Sequence, residues 1–402
     1  MGLILNDLKN ACELEHVCDY VNNRTTSSMN YISTENMLPN KGGISESTII
    51  PPGTTTEYKI GDILISNIRP YFQKIWCADR CGGCSADVLC IRAKENTDSK
   101  YLYYLLSQQA FFDYVMSGAK GCKMPRGDKK QIMQWPVNIP AIDVQKKVVA
   151  ILSSLDNKIR LNRRINDNLE EQAKALFKSW FVDFEPFKGG KFVDSKLGPI
   201  PEGWSIGKVN DVVQILSGFA FKSETFVQSG PYRLITIKGV QDGYLDISGA
   251  SYISKVPLKM PAYCNLEIGD ILLSLTGNVG RVCIVDRPNL LLNQRVAKLQ
   301  PRRDKQDLLF VYILFRQDTF KNHLLQIARG TAQLNLSPVE TREISIILPP
   351  ANVLLEFSKI GQYLFDKIAL SNQETLRLSA LRDTFLPKLM SGELSVEEVS
   401  FD

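Results

Sequence analysis

The feature that most constrains this chain is a long internal repeat. The sequence GDIL at residues 61–64 returns at residues 269–272, a shift of 208 residues. Further on, residues 140–169 align without a gap with residues 349–378, and the matched positions are mostly apolar and helically spaced. A duplicated core leaves this kind of trace. At roughly 100–200 residues per domain, the 402 residues predict two to four domains, and the repeat favours two related modules.

Each copy contains a mixed segment followed by a helical one. In copy one, apolar runs at 63–65 and 88–91 predict strands between Gly, Pro and Asn turns, and residues 101–116 predict one helix. Copy two has similar runs at 271–273 and 282–285 and a matching helix at 308–328. This pattern indicates α+β modules. The predicted domains are a first module at 1–140, a central helical spacer at 141–187, a second module at 188–348 and a distal helical spacer at 349–395.

The two helical segments carry apolar residues in alternating steps of three and four. The seam runs from Val144 to Trp180 in copy one and from Val353, through Ile360, to Leu389 in copy two. This spacing is typical of a coiled coil, and both seams turn polar at the same depth. We expect the helices to pair with each other; the alternative is two unrelated amphipathic helices packed on their own modules. The core of the predicted seam is Leu155, Ile159, Asn162, Asn166 and Leu169, with Leu364, Ile368, Ser371, Thr375 and Leu378.

A pair of such helices makes a stiff spacer. The 39 residues from Asp143 to Phe181 span roughly 58 Å at about 1.5 Å per residue. Two DNA half-sites one helical turn apart lie about 34–36 Å from centre to centre, within this length. The formal charge of +5 and the pI of about 8.6 permit a nucleic-acid partner without requiring one.

Cationic loops are the candidate DNA contacts. Residues 120–130 read KGCKMPRGDKK, a Gly/Pro loop that suits a phosphate backbone or a base edge; a solvated loop is the alternative. Copy two has a basic stretch from Arg295 through Lys298 to Lys305, and its counterpart of the first loop, residues 329–335, offers amides that suit adenine edges. The candidate DNA-binding residues are Arg69, Lys120, Lys123, Arg126, Lys129, Lys130, Lys222, Arg281, Gln294, Arg295, Arg302, Arg303, Gln333 and Asn335.

The chain lacks the motifs of the common catalytic sites. It contains no GxxxxGKS/T phosphate loop, no HExxH, no GxSxG and no NPPY or DPPY. The tripeptide EYK at residues 57–59 fits only half of a nuclease motif and reads as a surface turn before a strand. We therefore expect no catalytic residue and no cofactor in this chain. The alternative is a stand-alone or fused DNA nuclease or methyltransferase that acts on a split site.

Four of the nine cysteines lie close together in the sequence, at Cys77, Cys81, Cys84 and Cys90. The CGGC spacing permits a zinc knuckle. Buried thiols are the favoured interpretation, because the second copy has valine and lysine opposite the first and last of these positions. We therefore expect no metal.

The sequence also bears on location. No apolar run approaches the ~18 residues that span a bilayer, and the opening residues 3–5 are too short a run for a secretory signal. An odd cysteine count without scaffold spacing is typical of reduced thiols. We expect a cytoplasmic protein.

Several motifs resemble the DNA-specificity subunits of Type I restriction–modification systems. WFVDFEPF at 180–187 and LGPIPEGW at 197–204 are similar to the central junction of that family, and LRDTFLPKLMSGEL at 381–394 to its distal end. SGFAFKSE at 217–224 resembles the opening of a target recognition domain, whereas copy one has no recognisable counterpart. The resemblance covers essentially the whole chain.

The resemblance implies an architecture and a set of partners. Two target recognition domains, related by a pseudo-two-fold repeat, would each read one half of a bipartite double-stranded DNA site. Two long helices would form an antiparallel coiled coil that sets the spacing and docks two modification subunits. Those partners would bind S-adenosylmethionine and methylate adenine, while restriction subunits would use ATP and Mg²⁺ to translocate and cut DNA. A structural assembly protein, whose coiled coil only joins other subunits, is a third hypothesis.

Overall fold

The computed structural model describes residues 11–26, 29–45, 47, 53–121, 123–247, 249–303, 307–330 and 333–397. The chain divides into two compact units. Unit 1 comprises Met1–Lys158 and Leu378–Asp402, and unit 2 comprises Ile159–Arg377. Unit 1 therefore takes its residues from both ends of the chain.

The described part of unit 1 is built from short strands, three short α-helices and parts of the two long ones. Its strands are β1 (Cys12–Glu13), β2 (Cys18–Tyr20), β3 (Arg24–Thr25), β4 (Thr55–Tyr58), β5 (Ile63–Ser66), β6 (Ile75–Cys77), β7 (Gly82–Cys84), β8 (Val88–Ala93) and β9 (Pro136–Val137). Its short helices are α1 (Ser99–Leu106), α2 (Gln109–Ser117) and α3 (Lys129–Met133). The long helix α4 (Ile142–Phe181) begins in this unit and ends in unit 2.

Unit 2 contains the remaining elements. Its strands are β10 (Phe192–Val193), β11 (Ile200–Pro201), β12 (Ser205–Lys208), β13 (Val213–Ser217), β14 (Phe226–Val227), β15 (Tyr232–Ile235), β16 (Tyr252–Ile253), β17 (Asn265–Leu266), β18 (Ile271–Ser274), β19 (Val282–Ile284), β20 (Leu290–Leu292), β21 (Val296–Pro301) and β22 (Ser345–Leu348). Its helices are α5 (Val209–Val212), α6 (Leu308–Arg316), α7 (Asp318–Ile327) and α8 (Pro338–Arg342). The second long helix, α9 (Ala351–Ser391), begins here and ends in unit 1.

The main sheets of the two units have the same plan. Unit 1 has the antiparallel order β2-β8-β5-β6, and unit 2 has the antiparallel order β13-β21-β18-β19. Side chains alternate between two hydrophobic clusters: Ile63 and Ile65 face α1, whereas Leu64 packs with Tyr58 on the other face. The expected α+β class and the duplicated core are confirmed.

The repeated GDIL motif has the same local role in each sheet. Gly61 and Gly269 take left-handed φ angles of 87° and 92°, which glycine adopts without steric cost. The aspartate that follows caps the turn, because Asp62 accepts the amide of residue 59 at 2.7 Å and Asp270 accepts that of residue 267 at 2.8 Å. Each carboxylate also binds a cation from the neighbouring strand, Arg92 in unit 1 and Lys298 in unit 2.

The strand predictions agree with the structure, but the helix predictions at 101–116 and 308–328 are wrong in one respect. Each segment forms two helices instead of one. The break falls at Gln108 and at Gln317, whose ψ angles of 148° and 133° are extended. Apolar periodicity persists across both breaks, so the pattern alone does not reveal them. The EYK tripeptide at 57–59 is also not a surface turn, because its first two residues belong to β4 and Tyr58 is fully buried.

The long helices pair with each other in antiparallel orientation. In unit 2, Asn162 donates to Glu374 at 2.8 Å and the Phe177 ring contacts Phe357, so the partner number falls as the residue number rises. In unit 1, Val148 and Leu152 share a cluster with residues 386, 389 and 390 of α9. The helices contain 40 and 41 residues, close to the predicted lengths.

The predicted seam is buried or half-buried, with two exceptions. Leu155, Ile159, Asn162 and Ile368 are at most 4% exposed, and the other six seam residues are half-buried. Val144 and Ile360, however, are 38% and 51% exposed. In unit 1, Val148 and Leu152 of α4 belong to a cluster that includes residues of α1 as well as the end of α9, so this part of α4 packs on more than its partner helix.

Polar side chains of the seam form hydrogen bonds between the two helices. Asn166 donates to the amide oxygen of Asn372 at 2.7 Å, and Ser371 donates to the backbone oxygen of Asn162 at 3.3 Å. A shift of either helix by one turn would leave these polar groups opposite apolar ones. Such contacts therefore specify register at a cost in stability.

Among the described residues, no helix combines the length and the apolar character needed to cross a membrane.

Candidate nucleic-acid interface

Three loops meet at one end of the main sheet in unit 1. They are residues 67–73 after β5, residues 85–87 before β8, and residues 120–121 and 123–126 between α2 and α3. Backbone bonds hold them together: Asn67 donates to the oxygen of Asp87 at 2.8 Å, and Arg69 donates to the oxygen of Pro125 at 2.8 Å. We call this surface loop cluster 1.

The same three loops meet in unit 2, at positions related by the sequence repeat. Leu275 donates to the backbone oxygen of Arg295, and Gly277 donates to that of Leu334, both at 2.9 Å. The third loop is closed by reciprocal backbone bonds in both units, between Lys120 and Arg126 and between Arg329 and Asn335. We call this surface, formed by residues 276–280, 293–295, 329–330 and 333–335, loop cluster 2.

Glycine permits these loops to close. Gly121 and Gly330 occupy equivalent positions and have φ angles of 98° and 121°. Gly127, directly after the third loop, lies where a Cβ atom would come within 2.8 Å of Asn67 Oδ1. Arg69 has a φ of 50°, in a place where the second unit has Gly277. A side chain at such a φ is uncommon outside functional and turn positions.

The predicted cations of the first loop lie on loop cluster 1 or beside it, and most of them have partners. Arg126 pairs with Asp87 at 3.2 Å, and Lys120 pairs with Asp128 at 2.9 Å. The Lys120 ammonium, by its hydrogen bond and charge, lowers the pKa of the Asp128 carboxyl. Lys129 lies 4.5 Å from the centre of the Tyr20 ring. The side chains of Arg69, Lys123 and Lys130 are exposed.

Loop cluster 2 includes four of the predicted polar residues. Gln294, Arg295 and Gln333 line a cavity of about 250 Å³ together with Thr236, Ile237, Thr276 and Asn293. Asn335, which the sequence suggests for an adenine edge, has three side-chain hydrogen bonds within the cluster. Its Oδ1 accepts from Thr276 and Arg295 at 2.9 and 3.2 Å, and its Nδ2 donates to the oxygen of residue 333.

The structure does not bring the other predicted residues of copy two into these contacts. Lys222 lies 3.5 Å from Glu224, and Arg302 donates to Asn210 at 2.8 Å. Arg281 follows the first loop but donates to Gln241, while Arg303 is exposed. Lys298 is largely buried against Asp270 and therefore serves the sheet. Lys305, Thr331 and Ala332 lie outside the described residues.

Sequence reasoning missed the acidic and neutral partners in these loops. Asp87 and Thr276 hold the predicted cationic and amide side chains, and Asn293 lines the cavity. One signal was available: the repeat shift that aligns the two GDIL motifs also aligns Asp87 with Arg295. An acid aligned with a cation in otherwise equivalent loops marks a position at which the two modules differ.

The zinc alternative finds no support in the cysteine geometry. Among the described residues, the one group of three or more potential ligands within 4.8 Å of one another is Glu13, Glu15 and His16, all exposed. Cys84 and Cys90 are buried and Cys81 is exposed. Burial raises the pKa of the Cys84 thiol to about 12, as is typical of a structural buried thiol.

Comparison with known proteins agrees with the repeat. The family described as Type I restriction modification DNA specificity domain matches residues 10–171 and 201–379. The chain is 29% identical over 314 residues to the type I restriction enzyme MjaIX specificity subunit of Methanocaldococcus jannaschii, covering 76% of this chain and 71% of that one. It is 26% identical to the HindI specificity subunit of Haemophilus influenzae, covering 90% and 94%.

A solved structure has the same fold. The S subunit of a Type I restriction–modification system from M. genitalium superposes with a TM-score of 0.50 at 16% identity, covering 96% of this chain and 97% of that one. Two matched segments in one chain, each contributing a loop cluster and a long helix, account for the fold and the repeat together. The chain therefore belongs to the family of Type I restriction–modification DNA specificity subunits.

Proposed function

We propose that this chain is the sequence-reading subunit of a Type I restriction–modification complex, in which each recognition module reads one half of a bipartite double-stranded DNA site. The observation that carries the proposal is the pair of loop clusters. Both are built on the same backbone bonds, yet they present different side chains. A duplicated frame with different polar surfaces suits two half-sites of different sequence. We propose the domain limits predicted from the sequence, with the two recognition modules at residues 1–140 and 188–348.

The coiled coil would set the spacing and dock the modification subunits. Its surface in unit 2 carries exposed apolar side chains, including Tyr363 and Leu370 at 63% and 59% exposure. Leu370 also lines an open groove of about 570 Å³ with Phe365 and Leu308. Apolar patches of this kind mark protein interaction sites. A subunit that binds large partners needs such surface beside its cationic loops.

The chemistry of the complex would belong to the partners. Two modification subunits would bind S-adenosylmethionine and transfer the methyl group to adenine, and restriction subunits would use ATP and Mg²⁺ to cleave DNA. This chain would contribute recognition alone, and the complex would act on DNA in the cytoplasm. Isolated from its partners, the chain should bind DNA weakly and with a strong salt dependence, because phosphate contacts dominate such binding.

The proposal is tested by exchanging a module. The chain is expressed with its modification subunits, and methylated adenines are mapped across the host genome. Replacing residues 1–139 with those of a relative should change one half of the methylated sequence and leave the other half intact. An unchanged methylated sequence would favour the assembly-protein hypothesis, and methylation or cleavage by the purified chain alone would favour the enzyme alternative.

A second experiment tests the spacing role. Four residues, about one helical turn, are inserted into α4 beside Asn162, with a matched insertion into α9 beside Asn372 to preserve their contacts. We expect a longer gap between the half-sites and unchanged half-site sequences. An unchanged gap in the methylation map would exclude the helices as the spacer.

A further inference from the structure

The two loop clusters contain an equivalent pair of positions whose chemistry is reversed. Asp87 aligns with Arg295 under the shift of 208 residues, and Arg126 aligns with Asn335 under the shift of 209 that applies to the later segment. The structure supports both alignments through its backbone bonds. Residue 87 accepts from the amide of Asn67 and residue 295 accepts from that of Leu275, which are themselves 208 residues apart.

The third loop gives the same equivalence independently. Arg126 forms isolated β-bridges with Ile68 and Lys120, and Asn335 forms them with Thr276 and Arg329. Residue 126 in unit 1 and residue 335 in unit 2 are therefore paired with equivalent positions of the same two loops. These backbone positions match although the side chains do not.

At these equivalent positions each unit holds one guanidinium against one acceptor. In unit 1, Arg126 Nη2 lies 3.2 Å from Asp87 Oδ1. In unit 2, Arg295 Nη1 donates to Asn335 Oδ1, also at 3.2 Å. The arginine comes from the third loop in unit 1 and from the second loop in unit 2. Both units therefore keep the pair of an arginine and an acceptor, but the two residues have exchanged loops.

Both guanidinium groups are exposed to solvent, and their side-chain contacts use only some of their N–H donors. The Arg126 side chain is 55% exposed, and Arg295 and Asn335 are also exposed. Each side-chain contact uses one terminal nitrogen, so the remaining N–H groups are available to a ligand. Arg295 also holds a φ of 74°, a conformation that residues other than glycine rarely adopt and that clusters at binding sites.

We propose that Arg126 and Arg295 are equivalent base-reading residues, each recognising the O6/N7 edge of one guanine in the major groove of its own half-site, with Asp87 and Asn335 as positioning residues. Paired N–H donors in a planar fork match the two acceptors of guanine. An acceptor at one end of the guanidinium fixes the plane of the fork. This inference rests on the proposed function and names the residues that carry it out.

The alternative role for an exposed arginine is a contact with a DNA phosphate. A lysine substitution distinguishes this role from base reading. Lysine keeps the charge and satisfies a phosphate, but it lacks the rigid fork. The variants for unit 1 are therefore Arg126→Ala, Arg126→Lys and Asp87→Ala. Arg80→Ala is the matched control, because Arg80 is an exposed arginine of the same unit that also pairs with an aspartate, Asp79 at 2.7 Å.

The assay is methylation by the complex assembled with its modification subunits. Genome mapping identifies the methylated site, and DNA duplexes with each base at each recognised position measure selectivity. Arg126→Ala should lower selectivity for one guanine in one half-site by roughly 10- to 100-fold, and Arg126→Lys, which keeps N–H donors but lacks the fork, should lower it by a smaller factor. Asp87→Ala should lower selectivity at the same guanine by a smaller factor, and Arg80→Ala should leave the site unchanged. Arg295→Ala should act on the other half-site alone.

Three results would overturn the inference while leaving the proposed function intact. These are a half-site that contains no guanine, a bipartite site that stays equally selective in Arg126→Ala, and a uniform loss of methylation that Arg126→Lys restores. The last result would assign the arginine to a phosphate. If the wild-type complex methylates no bipartite site, the proposed function itself fails. The exchanged pair Asp87→Arg with Arg126→Asn supplies a positive test, because it should preserve the guanine that Arg126→Asn alone loses.

Discussion

A buried charge on the long helix α4 anchors the second module. Glu170 accepts from Arg316 at 2.6 Å through one carboxylate oxygen and from the Tyr312 hydroxyl at 2.7 Å through the other. The ion pair is 9% and 12% exposed. Burial holds the pKa of Tyr312 well above its ordinary value, so the hydroxyl stays a donor. We predict that Glu170→Gln destabilises unit 2 strongly.

The size of the effect follows from the burial. Removal of one partner of a buried ion pair costs about 3–5 kcal/mol, because the other charge is left without compensation. Asp242 lies 3.7 Å from Arg316 and offsets part of this loss, so we expect about 2–3 kcal/mol. The neighbouring Glu171 provides the control. It is 75% exposed and pairs with Lys174 one turn along the helix, and such a pair contributes only about 0.2–0.5 kcal/mol.

The measurement is urea unfolding of the full chain, with hydrogen exchange of α6 to locate the change. At about 2 kcal/mol per molar urea, Glu170→Gln should lower the midpoint by about 1–1.5 M and Glu171→Gln by about 0.1–0.25 M. Faster exchange in α6 should accompany only the first variant. Equal midpoint shifts for the two variants would show that the buried pair does not anchor the module as argued.

Two further predictions concern the coiled-coil surface and the thiols. Tyr363→Glu with Leu370→Glu should lower the affinity for the modification subunits at least tenfold by charging an apolar surface, whereas Leu258→Glu, at a fully exposed site outside the helices, should not; pull-down of the complex checks this. At pH 8, iodoacetamide should alkylate the exposed Cys81 well before Cys84, whose pKa burial raises to about 12; peptide mapping that finds the two equally labelled would contradict the buried position of Cys84.

The repeat and the long helices were predictable because they depend on periodicity. A 3-and-4 spacing sustained over some forty residues leaves few alternatives to a long helix, and the observed ends fall within a few residues of the predicted ones. The positions at which helices break were not predictable. Gln108 and Gln317 break their helices without glycine or proline, whereas α9 continues through Pro387. Tertiary packing decides such positions.

The candidate interface was only partly predictable. Cations and amides in Gly/Pro loops are visible in sequence, and Arg126 and Arg295 were among those identified. Their partners were not, because Asp87 is one acidic residue among 43 acidic side chains until the fold places it across from Arg126. Pairings between loops depend on contacts distant in sequence. Ile360 shows the same limit, since a residue in register with the seam proves half exposed.

The composition of unit 1 has a consequence for biosynthesis. Its core includes Leu386, Leu389 and Met390, which pack with Val148 and Leu152 although more than two hundred residues separate them in the chain. Unit 2 is one continuous segment, so it can complete its core on the ribosome first. Unit 1 is thus the first to be translated and the last to complete its core. A chain that ends before the final turns of α9 would leave the apolar surface of unit 1 exposed to proteases.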